Sequence, residues 1–145
     1  MNRQNAATRQ CQRLTGMALV LLCVSAATAD DYVSPKTVPG VMTIDTEQAK
    51  TLFDQGVVFI DVRTDADWEA GRIPNAIHLE LHQVLTPTSL GAVGKQDDKI
   101  VIYCNGPKCP RSSTAAARAQ AWGFTQVYYF RLGFPAWQAA GYAIE

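Results

Sequence analysis

From Val41 onward, continuous apolar runs alternate with stretches whose apolar residues recur three and four apart. Val41–Ile44 is a short strand-like run. Asp45-Thr46-Glu47 then opens a helix with Ala49, Leu52 and Phe53 on one stripe and Gly56 at its end. Val57–Ile60 is apolar throughout and of strand length. Asp65–Ala70 reads as a short helix stopped by Gly71, and Ala76–Leu79 as a brief strand. A polar loop, Gly91–Asp98, leads into Lys99–Tyr103, the most strongly apolar strand. Ser112–Trp122 is an Ala-rich helix ended by Gly123. Val127–Phe130 is the last strand and Pro135–Ala140 the last helix, ended by Gly141.

Strands joined through helices imply right-handed crossovers and a parallel sheet with helices on both faces, an α/β fold. In such a sheet the ligand site lies beyond the carboxyl ends of the strands. That directs attention to the residues after Ile60 and after Tyr103.

The first 29 residues follow a different pattern. Arg3, Arg9 and Arg13 precede an uncharged stretch, Leu14–Ala29, with the apolar centre Met17–Val24 and Ala27-Thr28-Ala29 just before Asp30-Asp31. A basic start, a short apolar segment and an A-x-A site read as a secretory signal peptide cleaved after Ala29. Sixteen uncharged residues, several of them Ser, Thr, Gly and Ala, are short for a membrane span. The A-x-A site and the short apolar segment fit bacterial export, so the expected location is the periplasm, with no membrane attachment after cleavage. Residues 30–40 form a polar, Pro-containing lead-in, and residues 41–145 form the domain.

This division changes the charge and cysteine arithmetic. The whole chain balances 13 Lys+Arg against 13 Asp+Glu, whereas the mature 116 residues carry 10 basic groups against 13 acidic ones. A mildly acidic domain of this kind argues against nucleic-acid binding. Cys11 and Cys23 leave with the signal, so Cys104 and Cys109 are the remaining cysteines.

Both lie in Cys104-Asn-Gly-Pro-Lys-Cys-Pro-Arg111, between the strand ending at Tyr103 and the helix starting at Ser112. A thiol there lies near unpaired backbone N–H groups and the positive end of the helix dipole. Lys108 and Arg111 add positive charge. Cys104 is therefore expected to titrate below the usual thiol value of about 8.5 and to act as a nucleophile.

Four stretches resemble the rhodanese family. Phe59-Ile-Asp-Val-Arg63 is similar to the family's strand ending in D-V-R, and Trp68–Leu79 is similar to its aromatic-x-x-G-H-I-P-G-A signature. Val127–Tyr142 is similar to the closing G-G-x-x-x-W-x-x-A-G-Y motif, and Cys104 falls at the nucleophile position. The resemblance implies sulfur transfer. Cys104 would take the outer sulfur of thiosulfate or a similar small anion as a persulfide, then pass it to cyanide or a thiol. Lys108, Arg111 and the backbone at Asn105 and Gly106 would bind the donor anion. Asp61 and Arg63, at the end of the neighbouring strand, would support the loop. No cofactor or metal is implied.

Several positions depart from the family pattern. Arg72 replaces the usual His, Asn75 a Gly and Leu132 the first Gly of the closing pair. Asn tolerates a left-handed backbone, whereas Leu132 excludes one. Arg111 stands seven residues after Cys104, further than the family's loop places its Arg, and Pro107 and Pro110 lack an N–H. Between the ends, Asn105, Gly106, Lys108 and Cys109 remain as backbone donors. Cys109 supports an alternative, a thiol–disulfide or persulfide redox protein in which it resolves Cys104. A catalytically idle module that binds another periplasmic protein is a third possibility. His78 and His82 read as structural histidines rather than zinc ligands. Trp68, Trp122, Trp137 and Tyr128–Phe130 read as packing residues.

Overall fold

The computed structural model describes residues 32–145, so the expected signal peptide lies outside the described residues. Five strands form one sheet: β1 (Met42–Ile44), β2 (Val58–Asp61), β3 (Ile77–His78), β4 (Lys99–Tyr103) and β5 (Gln126–Phe130). Their spatial order is β1-β5-β4-β2-β3, and every pairing is parallel. Five helices connect or follow them: α1 (Thr46–Asp54), α2 (Asp65–Glu69), α3 (Pro87–Gly91), α4 (Arg111–Ala121) and α5 (Gly133–Ala139).

Local chemistry sets the helix starts. Asp45 caps α1, its side chain accepting from the Gln48 N–H at 2.8 Å while Gln48 returns a bond to the Asp45 N–H at 2.9 Å. The hydrophobic pattern marks no element over 87–91. There, Thr86 caps α3 and Pro87 occupies its first turn, with Ser89 closing the same reciprocal box.

The strands divide the core by side-chain parity. Ile100 and Ile102 of β4 and Ile60 of β2 face one side, against Ala115, Ala116 and Ala119 of α4 and Leu90 of α3. Val101, Tyr103 and Phe59 face the other side, against Ala49 and Leu52 of α1 and Trp137 of α5. The alanines let α4 lie close to the sheet, so the loop entering α4 is pressed onto the end of β4. Asn75 takes a positive φ of 58°, the left-handed conformation expected of it. Leu132 has an ordinary φ of −71°, and the positive φ falls on Gly133 (61°), so the substitution at 132 needs no strained backbone.

Candidate functional site

Beyond Tyr103 the chain continues the parity of β4 for one more residue. Ile100, Ile102 and then Cys104 point to the α4 side, and Cys104 is 0% exposed. Its Sγ lies 3.0 Å from the Ser112 hydroxyl and 3.6 Å from the Cys109 carbonyl oxygen. The Cys109 N–H turns inward to the Gly106 carbonyl at 3.0 Å, which closes a tight turn over Pro107-Lys108. This turn sets the Cys109 carbonyl against the Cys104 sulfur and brings the two cysteines together. Both are free thiols.

The electrostatic expectation for Cys104 is corrected. Interaction with the Cys109 side chain, and then burial away from water, raises its pKa rather than lowering it. The depression falls on Cys109, whose pKa is pulled down to about 6, first by the hydrogen bond from Cys104. Partial burial opposes this, and the backbone N–H groups of Arg111 and Asn105 add smaller lowering contributions. Cys109 directly precedes Pro110, the N-cap residue of α4, whereas Cys104 directly follows β4. The alternation Ile100, Ile102, Cys104 already carries the signal for this enclosure.

Arg111 also differs from its expected role. Its guanidinium is hydrogen-bonded to Glu80 and to the Val62 carbonyl, directed into the frame beneath the loop. Glu80 is buried, and its other carboxylate oxygen accepts the N–H groups of His82 and Gln83 at 2.7 and 2.8 Å. Burial opposes ionisation of Glu80, but the Arg111 bond and the two amides hold its pKa below the ordinary value. Glu80 was not singled out in the sequence, where nothing distinguishes it from other acidic residues. Lys108 and Asn105 are exposed on the loop, whereas Gly106 is buried.

Asp61 and Arg63 form a buried pair on the opposite face of the sheet. Asp61 is 0% and Arg63 2% exposed, and Arg63 binds both carboxylate oxygens at 2.6–2.9 Å. The remaining donors of Arg63 reach the Gly71 carbonyl at 2.7 Å and the Asn105 Oδ1 at 3.4 Å. Asn105 in turn donates to Asp67 at 2.9 Å. The loop is thus tied to β2 and α2 through its second residue.

The loop is also held from outside by the lead-in. The Ser34 N–H donates to the Pro107 carbonyl at 2.6 Å, and Arg131 holds the Ser34 and Pro35 carbonyls at 3.0–3.2 Å. The Tyr129 hydroxyl bonds the Ser34 hydroxyl at 3.1 Å. In the sequence this segment stands out only as a polar, Pro-containing lead-in.

His78 stacks on Trp68 with ring centroids 4.8 Å apart, and Arg72 covers the same indole at 4.4 Å. Trp137, Tyr129 and Phe130 are buried in the core. Among the described residues, no group of three or more His, Cys, Asp and Glu is placed to hold a metal ion. No described helix is long and apolar enough to cross a membrane.

Comparison with known proteins is consistent with this architecture. The sequence profile of the rhodanese-like domain matches residues 45–140. Thiosulfate sulfurtransferase GlpE of Pseudomonas savastanoi is 33% identical over 93 residues, covering 64% of this chain and 83% of that protein. The rhodanese-like domain of the Anabaena Alr3790 protein is similar in fold, with a TM-score of 0.62 at 22% identity over 71% of this chain and 77% of that one. A Rhodopseudomonas palustris protein of unknown function, described as a possible tyrosine phosphatase, has a TM-score of 0.59. It is 30% identical over 72% of this chain and 85% of its own.

Proposed function

From its membership of the rhodanese-like domain family we propose that this chain is a sulfurtransferase that acts outside the cytoplasm, carrying sulfane sulfur as a cysteine persulfide in the loop between β4 and α4. The observation that carries the reading is the pair of free thiols that one tight turn brings together at the carboxyl end of β4, where the Asn105 and Arg111 N–H groups help to lower the pKa of Cys109. Such an arrangement stabilises a sulfur anion before and after it accepts an outer sulfur. Thiosulfate is the first donor to try, because the GlpE relative carries that name. A loop thiolate attacks the outer sulfur, the S–S bond breaks, and sulfite leaves with the electron pair. The acceptor is a small thiol or cyanide. Lys108, exposed on the loop, supplies positive charge near the incoming anion.

Incubation of the reduced mature protein with thiosulfate should release one sulfite per chain, and replacing both Cys104 and Cys109 with Ala should abolish that release. A protein that takes sulfur from neither thiosulfate nor a polysulfide is not a sulfurtransferase. The export reading rests on the basic start, apolar segment and A-x-A site of residues 1–29. In a bacterial host the mature protein should be found in the periplasmic fraction with Asp30 at its amino terminus. Retention of Met1–Ala29 on the cytoplasmic protein sinks that reading.

A further inference from the structure

We infer that Cys109, rather than Cys104, takes the sulfur from the donor, and that Cys104 then expels it as hydrosulfide by closing a Cys104–Cys109 disulfide. This rests on the sulfurtransferase reading, assigns the two thiols different steps within it, and makes Cys104 the internal acceptor when no external thiol or cyanide takes the sulfur first.

The two sulfurs have different surroundings. Cys104 has no exposed surface and sits among Ile102, Ala115 and Ala116, with Ser112 and the Cys109 carbonyl against its Sγ. A hydrated anion such as thiosulfate has no path along which its outer sulfur lines up with that atom. Cys109 is only partly buried, and it lies on the outer limb of the loop between exposed Lys108 and exposed Pro110. The Asn105 and Arg111 backbone N–H groups favour its thiolate. Interaction between the two side chains raises the pKa of Cys104 and lowers that of Cys109, in keeping with their difference in exposure.

The chemistry balances without a further reagent for one turnover. The Cys109 thiolate attacks the outer sulfur of thiosulfate, a Cys109 S–S bond forms, and sulfite departs with the electrons of the broken bond. Cys104, whose Sγ lies 3.6 Å from the Cys109 carbonyl oxygen in the same tight turn, loses its proton and attacks that inner sulfur. The new bond is Cys104–Cys109, and the outer sulfur leaves with the proton as HS⁻. The two thiols are oxidised to a disulfide and the transferred sulfur is reduced to sulfide. An external dithiol reductant resets the loop for the next cycle.

The test is a single turnover of the reduced mature protein with thiosulfate and no added thiol. Sulfite and sulfide are measured, with peptide mapping of the alkylated cysteines. Wild type should release sulfite and sulfide in equal amounts and lose two hydrogens to the Cys104–Cys109 disulfide. Cys104→Ala should release sulfite but no sulfide, and hold one sulfur on Cys109. Cys109→Ala should release sulfite at under a tenth of the wild-type rate. Sulfur mapped to Cys104 in Cys109→Ala, released with sulfite at the wild-type rate, overturns the inference and leaves the sulfurtransferase reading standing. So does wild-type sulfite without sulfide or disulfide. Absence of sulfite from wild type removes both. Should either alanine variant fail to fold, the wild-type ratio of sulfide to sulfite still decides, because a single carrier cysteine yields no sulfide without added thiol.

Discussion

The α-carbon of Gly133 faces the carbonyl oxygen of Cys104 so closely that a β-carbon there would lie 2.0 Å from it. This approach lets the Phe134 N–H bond the same carbonyl at 2.9 Å, fixing the first residue of the loop to the start of α5. A side chain would also have to adopt φ = 61°. Gly133→Ala should therefore cost more than the left-handed penalty of about 1–2 kcal/mol and displace the loop. Urea unfolding, together with the reactivity of Cys109, measures both. A variant of unchanged midpoint shows that α5 yields freely.

The Asp61–Arg63 pair is held together in the interior, so removing one partner strands the other. Arg63→Met should destabilise by about 3–5 kcal/mol, the cost of an uncompensated buried charge. Asp61→Leu together with Arg63→Met should recover at least half of that loss in the same unfolding assay. Additive losses from the two changes count against a coupled pair.

Glu80 and Arg111 make a second, partly exposed pair. Glu80→Gln should cost about 2 kcal/mol, less than a fully enclosed pair because solvent reaches Arg111. The folded carboxyl has a lowered pKa. Its contribution is therefore complete above the ordinary carboxylate range and is lost as pH falls through the folded value. Thermal unfolding of wild type should thus weaken toward acid more steeply than that of Glu80→Gln, and parallel curves contradict the assignment.

Because Arg111 is committed to Glu80 and the Val62 carbonyl, its loss should show mainly in stability. Lys108→Gln should raise KM for thiosulfate several-fold, and Arg111→Gln should raise it less while lowering the unfolding midpoint. Steady-state kinetics separates the two. A larger KM effect at Arg111 returns it to the role of anion ligand.

Alkylation of Cys109 should rise with pH to a plateau with a midpoint near 6, the thiolate being the reactive form. In Cys104→Ala the midpoint should move up toward the ordinary thiol value of about 8.5, because the hydrogen-bond donor is gone. Cys104 should stay unmodified in the folded protein. An unmoved midpoint shows that the backbone amides alone set the titration.

Much of this molecule is legible in its residues. The apolar runs mark all five strands to within about two residues, and Asn75 occupies the left-handed position its chemistry permits. The helix over Pro87–Gly91 is absent from the periodic pattern because five residues hold too little of it, although Thr86-Pro87-Thr88-Ser89 contains its capping chemistry. The placement of β1 beside β5 is set by tertiary pairing between segments at opposite ends of the domain. At the site, position in the sequence places Cys104 near a helix terminus, whereas strand parity turns that residue under α4 and leaves the terminus to Cys109. The partner of Arg111 lies 31 positions away, and no spacing rule points to Glu80.

The contact between Ser34 and Pro107 also orders the assembly of the molecule in time. Ser34 and Pro35 stand near the start of the mature chain, but two of the residues they touch, Tyr129 and Arg131, stand near its end, with Pro107 between. A chain emerging from its amino end, from the ribosome or across a membrane, carries this lead-in without all of its partners until β5 has formed. The cysteine loop gains its outer wall only at that final step, so a partly emerged chain holds its thiols without the enclosure that keeps them distinct.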